Sequence, residues 1–167
     1  MGHSIGGAAA AQALQQDRRI RGGVDLDGRL FSPVLDPSSP PSAQQRQRNR
    51  PLMLLGREKH ADEDPTWDQF WRSNKATSAV MLGVKGTSHS SFTDVPVLVE
   101  ALGLPEEARS RVEAMLGVVG GRRMQQILVE LSSSFSTWAF GGGYRRLVEA
   151  AGGLKEVVVR KSSFEVV

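Results

Sequence analysis

Cysteine is absent from the 167 residues. That absence excludes a disulfide framework, a thiolate-held zinc and thiol catalysis. It leaves the compartment open, because a chain without disulfides can work on either side of a membrane. Long apolar runs are also missing, and none nears the roughly 20 residues a membrane-spanning helix needs. No basic stretch precedes the Gly/Ala run that follows Met1, so the N-terminus does not read as a signal peptide. Charge of one sign is not in bulk excess, since 21 Lys+Arg against 18 Asp+Glu leave +3. A nucleic-acid protein gathers its basic residues on one face. Here they are scattered, apart from Arg46, Arg48 and Arg50. That cluster reads as a solvated loop end, and no nucleic-acid partner is expected. Aromatics are sparse at 6%. The remainder, 40% hydrophobic and 23% charged, is that of one globular domain spanning residues 1–167.

Near the start, Gly2-His3-Ser4-Ile5-Gly6 fits the pattern Gly-x-Ser-x-Gly. In a nucleophile elbow the serine sits on a strained strand-to-helix turn, and the flanking glycines let strand and helix approach closely. The small residues Gly7 to Ala11 suit a tightly packed helix behind it. Three fixed positions arise by chance in roughly one chain in twenty of this length. The alternative reading is a helix start with Ser4 as its cap. Only Met1 precedes Gly2, too little for the strand an elbow needs, so either the motif is accidental or the chain is the C-terminal part of a longer protein lacking its N-terminal strands.

Apolar periodicity predicts a helix over 5–17 and strands over 24–27, 51–56 and 79–84. Residues 33–50 are rich in Pro, Ser, Gln and Arg and read as a flexible surface loop. Residues 57–65 read as a polar loop, and a helix starts at Thr66, a possible cap. His89 lies in a polar loop directly after the 79–84 strand. Two short helices follow within 93–116, broken at Gly103 and Pro105. Met124, Ile127, Leu128, Leu131, Phe135 and Trp138 mark one face of a long helix. Residues 144–151 read as a short helix and 156–160 as a strand-like tail. Alternating buried strands and helices predict an α/β fold with a parallel sheet.

A serine nucleophile needs a base, and the base needs an acid to orient it. The order Ser, acid, His is that of α/β-hydrolases. His89, after a buried strand, is the base. For the acid, Asp27 competes with Glu58, Asp62 and Asp64, and spacing does not decide between them. Asp25 shares the strand with Asp27 but lies deeper, where an unpaired carboxylate is costly. Trp67, Phe70 and Trp71 either line an acyl-binding surface or pack a helix on the sheet.

Three blocks then carry a resemblance: Gly-His-Ser-Ile-Gly-Gly-Ala (2–8), Gly-Val-Asp-Leu-Asp-Gly (23–28) and Lys-Gly-Thr-Ser-His-Ser-Ser-Phe-Thr-Asp (85–94). In order and spacing the chain resembles the platelet-activating factor acetylhydrolase family, and residues 53–60 with the Trp67–Trp71 stretch are similar to its fungal members. The resemblance implies a partial α/β-hydrolase fold with a mostly parallel sheet and flanking helices. It implies a serine esterase that cleaves short or oxidised sn-2 acyl groups from phospholipids, with Ser4 as nucleophile, Asp27 as acid and His89 as base. The backbone N–H of Ile5 is then an oxyanion donor. A small lipid ester substrate, transient contact with a lipid surface, and no metal or organic cofactor are further expectations. The alternatives are a polyester or triglyceride esterase of the same fold, and an inactive fragment that keeps the triad residues without half the sheet.

Overall fold

The computed structural model describes residues 1–35, 50–74, 78–103 and 105–164. Most of the predicted 33–50 loop, including Arg46 and Arg48, therefore lies outside the described residues. Arg50 is within them, and its guanidinium donates to the Asp17 and Ile20 carbonyls at 2.7 and 3.2 Å, which ties the start of the next strand to the end of the first helix.

Among the described residues five strands form one sheet in chain order: β1 (Gly2–His3), β2 (Gly23–Leu26), β3 (Leu52–Arg57), β4 (Ala79–Val84) and β5 (Val157–Ser162). β1 to β4 are parallel, with Leu26 opposite Leu55 and Arg57 opposite Val84. β5 runs antiparallel to β4, so the sheet is mostly parallel, as expected. The helices after β4 bring the chain back to the end where β4 stops, and Lys85 N–H donates to the Glu156 carbonyl at 2.8 Å. From there the last strand can only run back along β4.

Period-two alternation sorts the strand residues onto two faces. Met53, Leu55, Val80, Leu82 and Val84 pack under α6 (Gly121–Thr137) through Met124, Ile127, Leu131 and Phe135, and under α7 (Arg145–Gly153) through Leu147 and Ala151. The stripe predicted from Met124 onward is thus the buried face of α6. On the other side Leu52, Leu54, Ala79 and Met81 meet α1 (Ile5–Gln16) and α3 (Thr66–Ser73). Both faces of the central strands are covered, so β3 and β4 read as continuous apolar runs.

The remaining helices among the described residues are α2 (His60–Glu63), α4 (Val95–Leu102) and α5 (Glu106–Leu116), with a 3₁₀ turn at His89–Phe92 and a π-helical turn at Trp138–Gly142 after α6. α2 corrects the expectation of an irregular loop over 57–65. Thr66 is not a cap: its own N–H donates to Asp64 Oδ1 at 2.9 Å, while its hydroxyl accepts from Leu30 N–H at 3.1 Å.

Candidate active site

Every element that reaches the site does so from the C-terminal end of a parallel strand, where open α/β sheets place their ligands. Ser4 connects β1 to α1 with φ 56° and ψ −124°, a left-handed backbone that a non-glycine residue adopts only under strain. What permits it is Gly2, because a Cβ there would stand 2.2 Å from the Gly6 carbonyl oxygen. A Cβ on Gly6 would meet nothing within 4 Å. Of the two motif glycines, only Gly2 is demanded by space. Gly7 is demanded as well, since its Cβ would fall 1.8 Å from Asp25 Oδ1. Ile5 opens α1, and its N–H belongs to the first turn, where amides have no intrahelical acceptor.

Asp27 follows β2 at φ 52°. The turn that holds it there is closed by Asp25, whose Oδ1 accepts the Gly28 N–H at 2.8 Å. Trp67 Nε1 donates to the Gly28 carbonyl at 2.7 Å and steadies the same turn from α3. Asp25 Oδ2 is buried with no hydrogen-bond partner among the described residues. Burial, reinforced by the charges of Asp27 and Asp64 and offset in part by the Gly28 N–H, pushes the Asp25 carboxyl up to about 8. At neutral pH it is mostly the neutral acid.

Asp27 is the opposite case. Burial alone would raise its carboxyl, but donors surround it. Oδ1 accepts from His60 Nδ1 at 2.8 Å and from Arg57 N–H at 2.9 Å; Oδ2 accepts from His89 Nδ1 at 2.7 Å and from Arg57 Nη1 at 2.5 Å. His60, Arg57 and His89 outweigh desolvation and hold the carboxyl at about 2. Two carboxyls two residues apart are therefore driven to opposite protonation states by their surroundings.

His89 is half exposed and its loop is pinned from several sides. Thr87 donates its hydroxyl to the Val84 carbonyl, Ser91 to the Leu116 carbonyl, and Ser88 to the Met115 carbonyl. Ser91 Oγ also accepts the Ser88 N–H at 2.8 Å. His3 Nε2 lies 3.0 Å from the His89 carbonyl oxygen, and the two rings are 4.5 Å apart. The elbow and the histidine loop thus touch directly. Ser4, Asp27 and His89 line one open cleft of about 610 Å³ together with Arg29, Arg57, His60, Glu63, Asp64, Thr87 and Ser88. Among the described residues no hydrogen bond joins the Ser4 hydroxyl to His89. Such contacts often tighten only when substrate binds.

Two of the other acid candidates have partners of their own. Asp62 pairs with Arg160 at 2.8 Å, Asp64 accepts from Thr66, and the carboxylate on His89 is that of Asp27. Of the two readings of Trp67 and Phe70, their burial agrees with packing on the sheet and not with lining the cleft. They are 1% and 2% exposed on the α1 side of the sheet, and Trp71 packs against the same cluster. His60 falls within 57–65, expected from sequence as a polar loop. It is buried, 3% exposed, with its ring 4.0 Å from that of Trp67. No group of His, Asp and Glu able to hold a metal ion occurs among the described residues.

The fold and the placement of these groups define an α/β-hydrolase-type chain: a mixed, mostly parallel five-strand sheet with flanking helices, a serine after β1, an acid after β2 and a histidine after β4. The profile of the family described as platelet-activating factor acetylhydrolase, isoform II, matches residues 1–117, and the chain belongs to that family. A probable 1-alkyl-2-acetylglycerophosphocholine esterase of Arthroderma benhamiae is 24% identical over 84% of this chain and 37% of its own. A platelet-activating factor acetylhydrolase of Gallus gallus is 34% identical over 56% of this chain and 21% of its own. Among solved structures, a ferulic acid esterase from Streptomyces cinnamoneus superposes with a TM-score of 0.70 at 29% identity, covering 96% of this chain and 45% of its own. The chain spans less than half the length of these relatives.

Proposed function

We propose that the chain carries the acyl-transfer machinery of a serine carboxylic-ester hydrolase. The observation that carries this reading is the 2.7 Å bond from His89 Nδ1 to Asp27 Oδ2, at the cleft that also holds the strained Ser4. His89 accepts the Ser4 hydroxyl proton at Nε2 as Ser4 Oγ bonds to the acyl carbon. Ile5 N–H donates to the resulting oxyanion at the start of α1. The alcohol leaves with the proton from Nε2, and an acyl-serine remains. Water, deprotonated by the same nitrogen, then releases the acid and restores Ser4. Asp27 stays ionised throughout and stabilises the imidazolium.

The substrate class we assign is a phospholipid bearing a short or oxidised sn-2 acyl group, met at a lipid surface. Support comes from the family and from the names of its fungal and avian members. A second reading, a wider ester range, is favoured by the similarity to a ferulic acid esterase. Labelling by a fluorophosphonate probe tests the chemistry. Ser4 should react, and S4A should not. A folded wild-type chain that takes no label overturns the hydrolase reading. Turnover of sn-2 acetyl phospholipid against triglyceride, polyester and feruloyl ester then separates the two substrate readings.

A further inference from the structure

His60 is the buried imidazole that the acyl-transfer scheme leaves unused. It stands at the start of α2, just after β3, and its ring lies 4.0 Å from that of Trp67 of α3, tilted by 33°. Its Nδ1 meets Asp27 Oδ1 at 2.8 Å, while Nε2 is buried with no hydrogen-bond partner among the described residues. An ionised carboxylate only accepts, so the proton on this bond belongs to His60 Nδ1. The surrounding charges are arranged around Asp27 as well. Arg57 of β3 donates to both carboxylate oxygens, Glu63 of α2 is drawn onto Arg57 at 2.8 Å, and Asp64 turns its Oδ1 to Thr66. From the β4 side His89 takes Oδ2, with His3 of β1 behind it and Arg29 at the cleft wall.

The torsion that turns an aspartate carboxylate is soft, so the donors around it decide its setting. Both oxygens of Asp27 are spoken for, and each carries one imidazole. We propose that His60 is a positioning residue for the reaction: its Nδ1–H holds Asp27 Oδ1 and so presents Oδ2 to His89. The proposal rests on the reading of Ser4, Asp27 and His89 as an acyl-transfer triad. It gives the acid a second histidine, sequestered from solvent, whose ring has no other hydrogen bond among the described residues. The same bond favours the charged form of Asp27.

Three variants of the full chain test this. H60F keeps a flat ring against Trp67 but has no donor. H60N places an amide N–H where Nδ1 stands, and H60L replaces H60F should the latter not fold. The first readout is the titration of the Asp27 carboxyl followed by carbon-13 NMR. Its midpoint, about 2 in the wild type, should rise in H60F and stay in H60N. The second is the rate of fluorophosphonate labelling at Ser4, which should fall about tenfold in H60F and stay within about threefold of wild type in H60N. A filling role alone predicts that H60F matches wild type in both readouts, or that H60N falls as far as H60F; either result overturns the proposal. The NMR arm does not need catalysis. A wild-type chain that takes no label while its H60F titration moves refutes the hydrolase reading and leaves the hold on Asp27 standing.

Discussion

Asp25→Asn isolates the cost of burying a carboxyl at the base of the site. The folded chain holds Asp25 at about 8, against 3.8 for the free side chain. Below the lower value the group is protonated whether folded or not, and it adds no pH dependence. Between the two values the unfolded chain ionises and the folded chain does not. Stability is therefore lost as pH rises through this window, by about 1.4 kcal/mol per pH unit. Asparagine cannot ionise and keeps an oxygen for the Gly28 N–H. The stability of D25N relative to wild type should therefore grow by about 3 kcal/mol between pH 5 and pH 7. Asp27 does not blur the comparison, because its own contribution, from a carboxyl held at about 2, is lost only as pH falls below that of a free aspartate. The three histidines are present in both proteins and largely cancel in the difference. Urea unfolding of both chains at several pH values gives the slope directly. Any constant penalty from the unpaired amide shifts the line without tilting it. A difference that stays flat across the window would refute the claim that Asp25 is carried as a neutral acid.

The elbow glycines should separate. G2A drives a Cβ to 2.2 Å from the Gly6 carbonyl oxygen and should cost about 2–3 kcal/mol or more in urea unfolding, whereas G6A should fall within about 1 kcal/mol of wild type. D27N presents an amide where His89 needs an acceptor, and kcat for ester hydrolysis should drop by about 10⁴ with KM little changed. W67F leaves the Gly28 carbonyl without its 2.7 Å donor and should destabilise by about 1–3 kcal/mol, read by thermal unfolding.

The parts of this architecture that depend on local pattern could be read from the amino-acid order. Leu52–Leu55 and Val80–Leu82 are short apolar runs between breakers, and they are the two central strands. The Asp-x-Asp-Gly turn after β2 marks where an acid can stand, because a glycine and two short acceptors favour such bends. The direction of β5 is set by where four intervening helices deliver the chain, and no local signal carries that. His60 was hidden for a related reason. Its neighbours Glu58, Lys59, Asp62 and Glu63 are charged, so the window reads as solvated, yet one turn of helix swings this one side chain inward onto Asp27. Trp67 and Phe70 illustrate the converse ambiguity. Aromatics near a site can line it or support it from behind, and only the face they occupy decides.

The Asp27 carboxylate sits just past the end of β2 and is fastened to the last residue of β3 and to histidines that follow β3 and β4. One side chain thus clamps the tips of three neighbouring strands. Sliding any of them by a single residue would pull an imidazole or the Arg57 amide off one of the two carboxylate oxygens. Pairing errors in the sheet and errors in the cleft are consequently the same event, and a chain that folds with the wrong alignment also arrives without the Asp27 carboxylate in place.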